Sequence, residues 1–390
     1  MVQEHAMNAV HLKEIDPIVS LETTVMPHPS LSEAKAAIAR LHSRFQPAES
    51  RSLKARALLI VGGTGAGKTT ALEDYRSGCP DRSLGNTISG TAIVSDAALQ
   101  DADERRIIYV EAAKGTTQRA LVATLLGAFG YRASDHWNTS DIITKIEFYA
   151  DQMHTEMIFI DEGHHLVSGT NPEQTEDVAE FIKSLLNRTK RQVVIAGSPT
   201  LLQITRYQQL HRRLQPSVIL TPYHWGTRTG RRNFLLILSN FEKLLYLPEP
   251  SGLTKHDFAR RIYVATGGEI GIVSNYLSEA LSRVKAENLR SIDKGLMAEI
   301  HDSWHRSYAP EQILDFDALL DDADLIEKAS AGRGIDNPFL CDDSQLKGLW
   351  NKLQADRDAL LASVRVGADG SRVTKLKATG RDPYTPFTRS

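Results

Sequence analysis

The stretch that decides the fold is Ala57-Leu58-Leu59-Ile60-Val61-Gly62-Gly63-Thr64-Gly65-Ala66-Gly67-Lys68-Thr69-Thr70. Five apolar residues come first, then a glycine-rich turn, then a run with helical periodicity up to Tyr75. Strand, tight loop and helix follow one another, and Gly62 to Thr69 match G-x-x-x-x-G-K-[ST] in that context. The glycines let the loop wrap phosphates with its backbone N–H groups turned inward, at distances a Cβ would block. The start of the following helix adds unpaired donors and a positive dipole end. Gly63, Thr64, Gly65, Ala66, Gly67, Lys68, Thr69 and Thr70 are therefore expected to hold ATP. Lys68 is the point charge for the terminal phosphates, and the Thr69 hydroxyl is a ligand for Mg2+.

Outward from this stretch, short apolar runs alternate with helical patterns. Residues 57–61, 107–111, 157–160, 192–196 and 217–220 read as strands, and residues 68–75, 117–129, 139–154 and 174–190 as helices between them. The alternation predicts an α/β fold, a parallel sheet with helices on both faces. Ligands of such sheets gather at the carboxyl ends of the strands. Met157-Ile158-Phe159-Ile160 ends there in Asp161 and Glu162. Asp161 is expected to hold Mg2+, and Glu162 to act as general base on the attacking water.

Ser198 follows the 192–196 strand and is expected to orient that water, although Ser198-Pro199 also reads as a plain turn. Arg212 and Arg213 lie in a helical stretch before the last strand. Either could reach the γ-phosphate of a neighbouring subunit, and either could be a solvated helix end. His164 and His165 follow the acids, but adjacent histidines diverge on regular structure, and there is no HExxH spacing or nearby cysteine. Packing or phosphate sensing is expected there, not a zinc site.

The chain has 390 residues and a formal net charge of −2, with 41% hydrophobic and 24% charged residues. That composition excludes wholesale disorder and allows two or three structural units. Four segments are expected: a 1–50 arm with a docking helix over 30–45, a 51–229 nucleotide-binding domain, a smaller all-helical 230–307 domain, and a 308–390 extension ending in a basic tail. Cys79 and Cys341 are far apart and offer no disulfide framework, which suits a cytoplasmic setting. The N-terminus has no signal-like apolar run, and no stretch nears the ~18 apolar residues of a membrane span.

Between Glu180 and Glu242 there is no acidic residue, while Lys183, Arg188, Lys190, Arg191, Arg206, Arg212, Arg213, Arg228, Arg231 and Arg232 all fall inside. Lys114, Thr116 and Arg119 open the helix after the second strand, and Thr139 opens the next. The first three offer the donors and positive charge that bind a phosphate backbone. With no base-reading element, contact with double-stranded DNA is expected to be independent of sequence and sensitive to salt. Some of these cations could equally serve a subunit interface or a solvated face.

Taken together, GGTGAGKTT, IIYVEAAKGTTQRAL, MIFIDEGHHL, VVIAGSP, YQQLHRRL and the later ATGGEIGIVSNYL resemble the TniB/TnsC family of transposition AAA+ ATPases over residues 25–305. The resemblance implies an AAA+ core with a helical lid, and an ATP-dependent regulator of DNA transposition. Such proteins assemble on target DNA as homo-oligomeric rings or helical filaments. They link a target-selection protein of the TniQ type to the DDE transposase and come apart when ATP is hydrolysed. On that pattern Arg212 or Arg213 is the trans-acting finger, Ser198 the first sensor, and Lys114 and the Thr139 region face DNA. One departure stands out: Glu269-Ile270-Gly271-Ile272-Val273, after Gly267-Gly268, has no second-sensor arginine, so slow hydrolysis is expected. Asp161-Glu162-Gly163-His164 also fits the DExH box of helicases, and a scaffold that binds ATP without turnover is a third reading.

Overall fold

The structure is a computed structural model that describes residues 18, 21, 24–26, 28–46, 54–83, 86–88, 104–167, 172–307 and 337–365. The basic tail and the acidic segment after residue 308 lie outside the described residues. In chain order the elements are α1 (Pro29–His42), β1 (Ala57–Gly62), α2 (Lys68–Ser77), β2 (Asp81–Ser83), β3 (Asn86–Ile88), β4 (Ile107–Glu111), α3 (Gln118–Ala128), α4 (Thr139–Gln152) and β5 (Met157–Asp161). There follow α5 (Pro172–Thr189), β6 (Gln192–Gly197), α6 (Gln208–His211), β7 (Val218–Leu220), α7 (Arg228–Leu244), α8 (His256–Thr266), α9 (Ile270–Glu287), α10 (Lys294–Ser307) and α11 (Asp343–Arg365). Two 3₁₀ turns, Gly163–Leu166 and Pro199–Arg206, follow β5 and β6.

Five strands form one parallel sheet in the order β4-β5-β6-β1-β7, with β2 and β3 as a separate antiparallel pair. The central strands β1, β5 and β6 are buried along their whole length, which is why they read as unbroken apolar runs. Their alternate residues feed two cores. Leu59, Val61, Ile158, Ile160, Val193 and Ile195 pack with α3, α4 and α5 on one face. Leu58, Ile60, Met157, Phe159, Val194 and Ala196 pack with α1 and α2 on the other.

α1 thus belongs to the sheet. Its Leu31, Ala34, Ile38 and Leu41 are buried in that second core. Its last residue, His42, meets Tyr75 Oη through Nδ1 at 2.9 Å and the Glu156 carboxylate through Nε2. Arg106 completes the cluster with bonds of 2.9 and 3.0 Å to Glu156.

By contacts the described residues divide into two units, residues 29–221 and residues 222–307 and 337–362 together with Ile18, Leu21 and Met26. The sequence pattern placed the change near Thr229, but Tyr223 and Trp225 already pack with the helical unit. α7 to α10 bury Phe234, Ile237, Phe241, Ile262, Tyr263, Tyr276, Leu277 and Leu281 in its core. Part of the extension joins them: Phe339, Cys341 and Leu346 enter this core, and Arg261 donates to the carbonyls of Pro338 and Cys341 at 2.7 and 2.8 Å. No helix among the described residues is long and apolar enough to cross a membrane.

Candidate nucleotide site

β1 delivers the chain to Gly62 at the carboxyl end of the sheet. A Cβ there would lie 2.9 Å from Leu220 O and 3.0 Å from Ala66 Cβ, so the loop closes only over glycine. Gly65 and Gly67 take positive φ of 77° and 86°, which turns the loop into α2. Thr64 and Gly65 are exposed, Gly63 is buried, and Ala66, Gly67 and Thr70 are half-buried around the mouth of the loop. Lys68 is buried, and its Nζ donates to Gly63 O at 2.8 Å and Gly62 O at 3.3 Å. An ammonium held over a glycine cradle by two carbonyls can exchange them for phosphate oxygens.

The second half comes from β5. Asp161 is 1% exposed, and its Oδ2 accepts from Thr69 Oγ1 at 2.7 Å and from Tyr109 Oη at 3.0 Å. Its Oδ1 accepts from the Glu162 amide at 2.8 Å. Thr69 and Asp161 therefore present adjacent hard oxygen ligands, the donor set Mg2+ takes. Burial, then the charge and hydrogen bond of Asp161, push the Tyr109 phenol well above its ordinary range, so it stays a donor. Sequence reasoning missed Tyr109. Its only signal is an aromatic residue in an aliphatic strand, in register with Phe159 two residues before the Glu111–Asp161 pair.

Glu162 turns out of the strand at φ 51°, and its Oε2 lies 3.1 Å from His164 Nδ1. The 3₁₀ turn brings the histidines together rather than apart, with ring centroids 4.2 Å apart. The donor atoms of Glu162, His164 and His165 all fall within 4.8 Å of one another. Burial, and then His165, push the His164 imidazole below its ordinary range. Ser198 sits at the end of β6, between β5 and β1, with its Oγ 2.8 Å from Thr200 Oγ1.

Arg212 and Arg213 lie elsewhere. Arg213 O accepts from Ala57 N at 2.9 Å, which puts the pair at the amino end of β1, opposite Gly62. The six residues of β1 span roughly 20 Å at about 3.3 Å per residue. Arg213 is engaged, donating to Asn187 Oδ1 at 2.5 Å and Ala55 O at 3.2 Å. Arg212 is exposed, and its guanidinium has no hydrogen-bond or ion-pair partner among the described residues. Both line a cavity of about 280 Å³ with Lys54, Arg56, Lys183 and Gln209.

Lys114 is exposed in the turn after β4, next to Gly115 at φ 74°, and Thr116 is half-buried. Arg119 donates to the carbonyls of Ser134, Asp135 and Trp137 at 3.0 to 3.1 Å. It thereby fixes the loop that ends in the Asn138–Asp141 capping box of α4. Thr139 and Gln118 consequently share a cavity of about 520 Å³, which Asp177 and Glu180 also line. The basic stretch is not one patch: Arg191 is buried against Asp151, and Arg188 bonds Ser140 and Thr144.

The family model described as Bacterial TniB protein matches residues 28–224, about half of the chain. The chain belongs to the TniB family. Membership places it among transposition-associated P-loop ATPases. No curated protein matches it. Among solved structures, Cdc6p from Pyrobaculum aerophilum is similar at a TM-score of 0.51 and 11% identity, over 90% of this chain and 98% of that one. A Walker-type ATPase of Pyrococcus abyssi matches at a TM-score of 0.44 and 12% identity, over 83% of this chain and 88% of that one. The Cdc6p likeness is one of fold, the P-loop sheet followed by helices.

Proposed function

We propose that this TniB-family chain is an ATP-dependent regulator of DNA transposition. In this reading it hydrolyses Mg-ATP, oligomerises as a ring or helical filament on double-stranded target DNA, and acts in the cytoplasm. It links a target-selection protein of the TniQ type to the DDE transposase, and hydrolysis releases the assembly. Gly63 to Thr70 hold ATP, Thr69 and Asp161 hold Mg2+, Glu162 activates water, and Ser198 orients it. Lys114, Thr116 and Thr139 meet the DNA backbone, with Arg119 holding the loop that presents Thr139. The domains act in the order arm (1–50), ATPase (51–229), lid (230–307) and extension (308–390).

One observation carries this reading: the phosphate cradle and Arg212, which is unpaired among the described residues, stand at opposite ends of β1. Within one chain the arginine has no triphosphate to serve, so its charge is useful to a neighbour's. Arg213, tied to Ala55 and Asn187, keeps the finger in place. The helicase alternative lacks such support, since the described residues contain one parallel sheet and the helices after β7 supply no second.

Electron microscopy of the protein with duplex DNA, with and without a slowly hydrolysed ATP analogue, tests the proposal. Ordered rings or filaments that need the analogue are expected. Single particles under every condition would contradict it.

A further inference from the structure

Hydrolysis needs the base placed to within a fraction of an ångström, yet Glu162 reaches the site on a flexible side chain. Its backbone is held firmly. The amide donates to Asp161 Oδ1 at 2.8 Å, and the carbonyl accepts from His165 N at 2.9 Å. These bonds support the left-handed turn at φ 51°, which a non-glycine residue adopts only at a cost. They do not fix the carboxylate. The group that meets it is His164, with Nδ1 at 3.1 Å from Oε2.

His164 is itself wedged against the sheet. A Cβ on Gly197 would stand 2.9 Å from His164 N and 3.2 Å from its Cβ. A Cβ on Gly163 would stand 2.3 Å from Ile195 Cγ2. Two glycines thus let the turn lie directly on the end of β6, while the His165 ring, 4.2 Å away, closes the other side. Among the described residues, Glu162 Oε1 has no ion-pair partner, while Oε2 stands 3.1 Å from the imidazole Nδ1, within reach of a hydrogen bond once the ring or the carboxylate turns to align.

We infer that His164 is the positioning residue for Glu162: it anchors the carboxylate through Oε2 and leaves Oε1 to take the proton of the attacking water. This rests on the ATPase reading above. His164 contacts the base and acts through it, as an orienting group does in a nucleophile–base–orienter array.

The test compares His164→Leu with His164→Asn, whose amide nitrogen stands near the place of Nδ1. Steady-state ATPase activity and binding of a fluorescent ATP analogue are measured in the full chain. His164→Leu is expected to lower kcat about 10- to 100-fold with KM and analogue affinity within about twofold, and His164→Asn to stay within about fivefold of the parent. In a Glu162→Gln background, His164→Leu should cost nothing further, whereas a merely structural role would slow both backgrounds alike. Wild-type kcat in His164→Leu, or an Asn variant as slow as Leu while still binding nucleotide, would overturn the inference and leave the ATPase reading standing. A parent protein without hydrolysis on DNA would overturn both.

Discussion

Thr69 Oγ1 lies 2.7 Å from Asp161 Oδ2, so the first turn of α2 and the end of β5 meet through one hydrogen bond. The two residues are 92 positions apart and come together because β6 alone separates β1 from β5. Under the proposed function, these two oxygens would hold Mg2+.

Tyr109 donates to the same Asp161 oxygen at 3.0 Å. Its loss removes one bond to a charged acceptor, of about 1.5 kcal/mol. Tyr109→Phe should therefore raise the Mg2+ concentration for half-maximal ATPase activity by roughly tenfold and lower the melting temperature by a few degrees. A magnesium titration at fixed ATP measures this.

Arg212 and Arg213 should separate cleanly. Arg212→Ala is expected to fold normally, bind ATP and lose hydrolysis by on the order of 10³-fold. Arg213→Ala breaks the bonds to Ala55 and Asn187 and should lower stability by about 1–2 kcal/mol. Mixing Arg212→Ala with Lys68→Ala should recover part of the activity, because one subunit supplies an intact cradle and the other an intact arginine. Denaturant melts and ATPase assays of the mixtures read both effects.

The parallel sheet, its five strands and the phosphate loop were legible in the sequence, because buried strands are continuous apolar runs and a glycine cradle has a fixed spacing. That Asp161 and Glu162 stand at the carboxyl end of a buried strand was legible from such a run. Side-chain partners across the sheet were not: that Tyr109 would reach Asp161 depends on the β4–β5 register, which no local pattern encodes. The histidine pair misled because the chain leaves β5 in a 3₁₀ turn, where neighbouring side chains need not diverge. Arg119 read as charge offered to a phosphate backbone at the start of a helix, yet three backbone carbonyls of residues 134–137 claim its guanidinium. Nor did periodicity reveal that residues 337–341 would complete the helical core, since they form a short turn with no repeat.

Glu156 ties α1 to the sheet through His42 and Arg106. Burial alone would raise its pKa, but the hydrogen bonds and charges of His42 and Arg106 outweigh this and hold it at about 2. A carboxylate with a depressed folded-state value adds stability that is full above about pH 4.3 and is lost as the pH falls toward 2. Glu156→Gln should cost about 2 kcal/mol at neutral pH, and the difference from the parent should shrink across that acid window. Urea melts at pH 7, 4 and 3 would show it.

The central claim is that the state of the triphosphate at Lys68 decides whether copies of the chain hold together on DNA. Sedimentation of DNA-bound protein after ATP addition tests it most directly, comparing Glu162→Gln with Lys68→Ala. The account predicts that Glu162→Gln stays in long-lived assemblies while Lys68→Ala forms none; equal sedimentation of the two variants would contradict it.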